Sequence, residues 1–226
     1  MSRFRGFRSQ AFDWFEELAE HNERDWFQAN RATYETQVRA PLAALLEQRA
    51  ERDGGVVKLA RPHRDTRFSH DKSPYKTRAY GAVVERPGSA AGLYAEISAE
   101  GLFAGGGYYG LLPDQLERYR AAVLSEKSGP VLVEAVAQVE AAGVEVFGET
   151  LKRAPRGIDP HHPRVRLLRH KMVIAGDRLA PRATGITAKA GLRHVERVWD
   201  ALGPLNAWLD RHVGASREEP RRRPGR

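Results

Sequence analysis

The sequence predicts a single α+β domain in which a mainly antiparallel sheet is packed by N-terminal and C-terminal helices. Apolar residues at helical spacing occupy both ends of the chain, and short β-favouring runs separated by turn residues occupy its middle. Consecutive short strands favour antiparallel pairing. With 226 residues the chain can bury one substantial core, and no interior stretch resembles a linker. We therefore expect one domain over residues 1–213.

The first part of the chain is predicted to be helical. Ser9 is the expected N-cap of a helix that ends near His21 and buries one apolar stripe. Asn22 is expected to cap a second helix, which Pro41 kinks or splits. The aromatic residues of this region are interpreted as core at these spacings: Trp14, Phe15, Trp26 and Phe27.

The middle of the chain is predicted to form strands. The β-favouring runs are Val56 to Leu59, Arg64 to Phe68, Ala79 to Val84 and Leu93 to Ser98. The triplet Gly105-Gly106-Gly107 is expected to end this region as a bend or bulge.

The last part of the chain is predicted to be mainly helical. Pro113 is placed at the start of one helix, and a second follows Pro130. Val144 to Phe147 and Lys171 to Ala175 are predicted strands, and a final amphipathic helix is kinked at Gly203-Pro204.

Composition limits the possible functions. Without cysteine the chain has no disulfide, thiolate nucleophile or Cys-ligated metal site. No apolar stretch is long enough to cross a bilayer and no signal-peptide core follows the N-terminus, so a soluble, cytoplasmic protein without membrane contact is expected. The net charge of +8 is concentrated in residues 61–78, 152–182 and an Arg-rich tail, 214–226, that is predicted to be disordered.

The run from Arg64 to Thr77 is the strongest candidate site. It combines cations, carboxylates, hydroxyls and two aromatic rings with almost no aliphatic residues. A hairpin here would bring basic residues together on one anion, with Tyr75 stacking on the ligand or donating a hydrogen bond; the expected clamp is Arg64, Arg67, Lys72 and Lys76. In the alternative interpretation, Asp65 and Asp71 neutralise these bases and the run is a structural ion-pair network.

A second polar run spans residues 152–163 and contains His161 and His162. Adjacent histidines usually point apart, so no metal site is predicted, and the residues favour a turn before Val165. Asp65 and His162 are the candidate general bases, and Arg156 and Lys171 are further candidate anion-binding residues. No motif names a cofactor or a reaction.

Several motifs are familiar in their order along the chain. They are Asp25-Trp26-Phe27, the run Asp65 to Thr77, the Gly105 triplet, Pro155-Arg156-Gly157, His162-Pro163 and Leu167 to Lys171. In these the chain resembles the bacterial and fungal family called domain of unknown function 2461, over about residues 4 to 213. His21 stands where that family commonly has asparagine. The resemblance implies a single-domain boundary and a site at residues 64–76, but no activity.

The leading functional prediction is binding, with or without turnover, of a phosphorylated or otherwise anionic small molecule at residues 64–78. The first alternative is a nucleic-acid or nucleoprotein accessory module that uses the same basic surface. The second alternative is a protein-interaction scaffold.

Overall fold

The computed structural model of the protein describes residues 3–217. The helices are α1 (Ser9–Glu20), α2 (Arg24–Ala29), α3 (Arg31–Thr33), α4 (Ala40–Asp53), α5 (Pro113–Leu124), α6 (Gly129–Ala141), α7 (Val165–Leu168), α8 (Ala188–Ala201) and α9 (Gly203–His212). The strands are β1 (Gly6–Phe7), β2 (Val56–Leu59), β3 (Arg78–Val84), β4 (Gly92–Ser98), β5 (Gly101–Tyr108), β6 (Glu145–Phe147), β7 (Val173–Leu179) and β8 (Ile186–Thr187).

Within the described residues, six strands form an antiparallel sheet in the order β2-β3-β4-β5-β7-β6, and β1 pairs with β8 in a separate ladder. In the β3–β4 ladder Arg78 lies opposite Ser98 and Tyr80 lies opposite Glu96. The α+β class with a mainly antiparallel sheet is confirmed.

Contacts divide residues 3–217 into two units, so the single-domain boundary stays a prediction. Unit 1 holds residues 3–87, 93–105 and 177–199, and unit 2 holds residues 88–92, 106–176 and 200–217.

The core of unit 1 joins the N-terminal helices to one sheet face. Trp14 and Phe27 are buried with Tyr34, so the core interpretation of these aromatic residues is confirmed, with Trp26 only half-buried. Glycine fits at position 81 of β3 because a Cβ there would lie 2.9 Å from the backbone carbonyl oxygen of Lys58 on β2, as well as 2.8 Å from Leu46 of α4.

Unit 2 has its own core, in which α5, α6 and α9 pack together. Tyr119 is fully buried, and its hydroxyl donates to the carbonyl of Leu167 over 2.9 Å. Trp208 packs edge-on against Tyr119 and donates its indole N–H to the carbonyl of Ser128.

The prediction that residues 214–226 are disordered is wrong for the first four of these residues. Asp114 on α5 accepts hydrogen bonds from the Ser216 hydroxyl and the Arg217 amide, and the carbonyls of Gly214 and Ala215 accept from Gln115 and Arg118. Residues 214–217 are therefore bound to α5. Residues 218–226 of the predicted tail lie outside the described residues.

Two predicted helix caps were wrong. Helix α1 begins at Ser9 itself, with Arg8 as N-cap, and α2 is preceded by Glu23 rather than capped by Asn22. The predicted split at Pro41 is not seen, because α3, a π-helical turn (Tyr34–Arg39) and α4 follow one another without a gap and Pro41 lies in the first turn of α4; a kink there stays a prediction.

Two strand predictions were wrong as well. Arg64 to Phe68 form no strand, because the carboxylate of Asp65 accepts the amide N–H of Arg67 and so engages the backbone locally. The Gly105 triplet lies inside β5 instead of ending the sheet region. At Gly107, φ is +121° and a Cβ would lie 2.3 Å from the carbonyl oxygen of Val173, which explains the glycine there.

Candidate functional site

The polar run that the sequence singled out lies in the connection between β2 and β3, residues 60–77, which we call the basic loop. Its base is an irregular two-stranded ladder. The amide of Arg64 donates to the Pro74 carbonyl over 2.8 Å, and the amide of Lys76 donates to the Pro62 carbonyl over 2.9 Å. His63 and Tyr75 face each other in this ladder. Its tip, residues 65–73, projects beyond the ladder.

Tyr75 anchors the base of the loop in the core of unit 1. Its side chain is 2% exposed and stacks on Phe27, with ring centroids 3.9 Å apart and planes 10° apart. The side chain of Asn22 accepts the amide N–H of Tyr75 and donates to its carbonyl, each over 3.0 Å. The Asn22 side chain therefore satisfies both backbone groups of Tyr75. The sequence predicted that the Tyr75 ring contacts a ligand, but in the structure the ring is part of the core.

Two of the predicted clamp residues form ion pairs with carboxylates of the tip. The guanidinium of Arg67 donates two hydrogen bonds to Asp65, at 2.9 and 2.7 Å, and Arg64 pairs with Asp71. These pairs are the network that the alternative interpretation predicted, although three of the four side chains are more than half exposed. Exposed pairs of this kind contribute little to stability.

The same pairs disfavour Asp65 as a general base. Hydrogen bonds from the Arg67 side chain and backbone lower the pKa of Asp65 to about 2. Hydrogen bonds from the hydroxyl and amide of Ser73, with a further one from Arg64, also lower the pKa of Asp71. A carboxylate with such a low pKa has little tendency to accept a proton at neutral pH.

The two loop lysines bind only backbone oxygens among the described residues. Nζ of Lys72 donates to the carbonyl of Thr66 over 3.0 Å, and Nζ of Lys76 donates to the carbonyl of Arg61 over 2.6 Å. Within residues 3–217, no carboxylate lies within ion-pair distance of either lysine. Lys72 and Lys76 therefore keep their charges uncompensated, unlike Arg64 and Arg67.

The C-terminal end of the loop leads onto one face of the sheet. The register puts Arg78 and Tyr80 of β3 on the same face as Glu96 and Ser98 of β4. We call this the polar sheet face; its residues are Arg78, Tyr80, Tyr94, Glu96, Ser98, Phe103 and Arg178. Nζ of Lys76 lies 5.2 Å from the ring centroid of Tyr80, and the guanidinium carbon of Arg78 lies 5.8 Å from the same centroid.

Glu96 is the centre of this face. It is only 5% exposed, and it accepts the Tyr94 hydroxyl over 2.6 Å and the Arg178 guanidinium over 3.2 Å. Burial, together with this hydrogen bond to Glu96, raises the pKa of Tyr94, so the phenol stays protonated.

Sequence reasoning missed this face because Leu93 to Ser98 was identified only as a β-favouring run, without an assignment of which of its side chains are buried. Glutamate is depleted in strands, so Glu96 was the available signal. Arg178 was missed because β7 extends to Leu179, beyond the predicted end at Ala175.

The remaining predicted site residues belong to unit 2. Nδ1 of His162 accepts the amide of Arg164 over 3.0 Å, which confirms the predicted turn before Val165. Lys171 forms an ion pair with Glu149. Arg156 lies exposed in the turn after Pro155.

Across residues 3–217, no three His, Asp or Glu side chains are grouped so that they could hold a metal ion. None of the helices in the described part of the chain is long and apolar enough to span a membrane.

The fold and the site define an α+β protein with a basic loop beside a polar sheet face. The family model described as "Conserved hypothetical protein (DUF2461)" matches residues 10–208, so the chain belongs to that family. A search of curated proteins found no match.

Proposed function

We propose that the protein binds a phosphorylated or otherwise anionic small molecule where the basic loop meets the polar sheet face. The observation that carries the proposal is the pair of cations at one ring: Lys76 and Arg78 both lie within 6 Å of the Tyr80 centroid. The carboxylate nearest to Arg78 is Glu96, 3.5 Å away, and Arg178 shares it. Like charges held together in this way favour an anionic ligand.

The structure also changes the set of residues in the predicted clamp. Arg64 and Arg67 are compensated by Asp71 and Asp65, so we remove them from the proposed clamp; Lys76 is retained, and Arg78 is added beside it as a principal ligand contact. Lys72 remains in the proposed set because it donates only to a carbonyl. Tyr75 contributes by holding the loop base in place.

Thermal denaturation with and without inorganic phosphate tests the proposal. A ligand at about 100 times its Kd stabilises the folded state by about 2.7 kcal/mol, which raises Tm measurably. We expect phosphate to raise the Tm of the parent and not that of Lys76→Ala or Arg78→Gln. Lys58→Ala is the matched control, because Lys58 is an exposed lysine of the same sheet that is paired with Glu85.

The outcomes of this experiment are distinct. If neither phosphate, pyrophosphate nor a nucleotide raises the Tm of the parent, anion binding is refuted. An equal loss of the phosphate effect in Lys58→Ala would show that only the total charge matters, and would also count against a defined site.

One observation favours the nucleic-acid alternative as a second candidate function. Phe68, at the loop tip, is 93% exposed, and the guanidinium of Arg67 lies 6.0 Å from its ring. An exposed ring beside cations can stack on an unpaired base, and such stacking contributes about 1–3 kcal/mol per base. Fluorescence anisotropy with a labelled single-stranded oligonucleotide tests it. We expect Phe68→Ala to weaken binding about tenfold or more, and an unchanged affinity would exclude this candidate.

A further inference from the structure

Two arginines of the polar sheet face are bound to opposite oxygens of one carboxylate. Nη2 of Arg178 lies 3.2 Å from Oε1 of Glu96, and Nε of Arg78 lies 3.5 Å from Oε2. Because the two oxygen atoms belong to the same carboxylate, the two guanidinium groups are close neighbours. They come from β3 and β7, which lie on opposite sides of the β4–β5 pair.

Each guanidinium also lies against an aromatic ring. The guanidinium carbon of Arg178 lies 5.4 Å from the Phe103 centroid, as that of Arg78 lies 5.8 Å from Tyr80. Nη1 of Arg178 further donates to the hydroxyl of Ser98 over 3.1 Å. Ring contacts of this kind hold a planar guanidinium while leaving part of its N–H edge accessible, which reduces the entropy lost when a ligand binds.

Both side chains remain accessible to a ligand. The Arg78 side chain is 59% exposed and that of Arg178 is 31% exposed, while Glu96 between them is buried. Glu100, which lies 3.4 Å from Arg178, is 76% exposed, so it is a partner that an incoming anion can replace. The face therefore offers two neighbouring, oriented cation sites separated by a buried carboxylate.

We infer that the site takes a ligand with two linked anionic groups, as in a diphosphate, one group at Arg78 with Lys76 and the other at Arg178. The inference rests on the proposed function and specifies its ligand class. Because the buried carboxylate of Glu96 already occupies the position between the two guanidinium groups, we expect a single phosphate to bind at one of them and two linked phosphates to bind at both. Guanidinium groups bind phosphate oxygens bidentately, which suits each end of such a ligand.

Calorimetric titration with pyrophosphate and with orthophosphate, at equal ionic strength, tests the inference. We expect the parent to bind pyrophosphate at least tenfold more tightly. Arg178→Gln should lose most of this preference and keep its orthophosphate affinity, while Arg78→Gln should weaken both ligands. Arg39→Gln is the matched control, because Arg39 is a half-exposed arginine paired with Glu35 on a helical turn.

The results separate the two proposals. Equal affinities for the two ligands in the parent, with Arg78→Gln still abolishing orthophosphate binding, would refute the inference and retain anion binding. Equal weakening of both ligands by Arg178→Gln would show that Arg178 acts only through total charge, and would also refute it. No binding of either ligand would refute both. If Arg178→Gln does not fold, Arg178→Lys serves instead, with a partial loss of the preference expected.

Discussion

Phe68 and Tyr75 lie seven residues apart in the same polar loop, yet one ring is 93% exposed and the other is 2% exposed. Both rings have polar neighbours in the sequence, so local composition does not distinguish them. The difference arises from their partners. Tyr75 has Phe27 beneath its ring and Asn22 at its backbone, whereas the partner of Phe68 is Arg67, one residue away. The base of the loop is therefore fixed by distant contacts, and its tip by local ones.

Removing the ring of Tyr75 should have the largest effect. Because the side chain is buried in a stacked contact, Tyr75→Ala should lower the free energy of unfolding by about 3–5 kcal/mol. Urea denaturation measures this directly. A loss below about 1 kcal/mol would mean that the base of the loop is not part of the cooperative core.

The Asn22 side chain should account for part of that stability. Asn22→Ala removes two hydrogen bonds to the Tyr75 backbone and should cost about 2 kcal/mol. Asn22→Asp keeps the acceptor for the Tyr75 amide but loses the donor to its carbonyl, so we expect about half that loss. If both variants unfold like the parent in urea, the two Asn22 hydrogen bonds do not stabilise the loop.

The same division between local and distant contacts separates what could be predicted from the sequence from what could not. Helical periodicity and turn residues were sufficient for α1 and for most strands, because these signals are local. The role of Asn22 was predicted wrongly as a cap, because its real partner is 53 residues away. The sequence singled out residues 64–77, which lie in the basic loop, but it did not allow a choice between pairing of Arg67 with Asp65 and convergence of the basic residues on an anion. Glu96 was missed because a β-favouring run does not by itself distinguish a buried carboxylate from a solvated one.

Substitution at the tip should leave the fold unchanged. Phe68→Ser replaces an exposed ring, so the free energy of unfolding should stay within about 0.5 kcal/mol of the parent. The same urea titration, run beside Tyr75→Ala, provides the matched comparison. Destabilisation comparable with that of Tyr75→Ala would show that the tip packs against the protein in solution.

The smallest effect expected is a shift in one pKa. Since Arg67 lowers the pKa of Asp65 to about 2, Arg67→Gln should return it toward its ordinary value of about 3.9. The Asp65–Arg67 pair is thus intact at neutral pH and is lost only as the pH falls through the folded-state pKa. Carboxyl NMR titration above pH ~3 should show a midpoint for Asp65 in the variant and none in the parent. A midpoint near 4 in the parent would contradict the pairing.

The hydrogen bonds between Asn22 and Tyr75 join parts of the chain 53 residues apart, which bears on the order in which the protein folds. A contact with this sequence separation can form only after a long segment has lost conformational entropy, so it is expected late on the folding pathway. We expect helices α1 and α2 and the β2–β3 ladder to form before the loop base closes. Lys76, at the end of the loop, would then take up its position at Tyr80 late in folding, so ligand binding at Lys76 would report mainly on completely folded molecules.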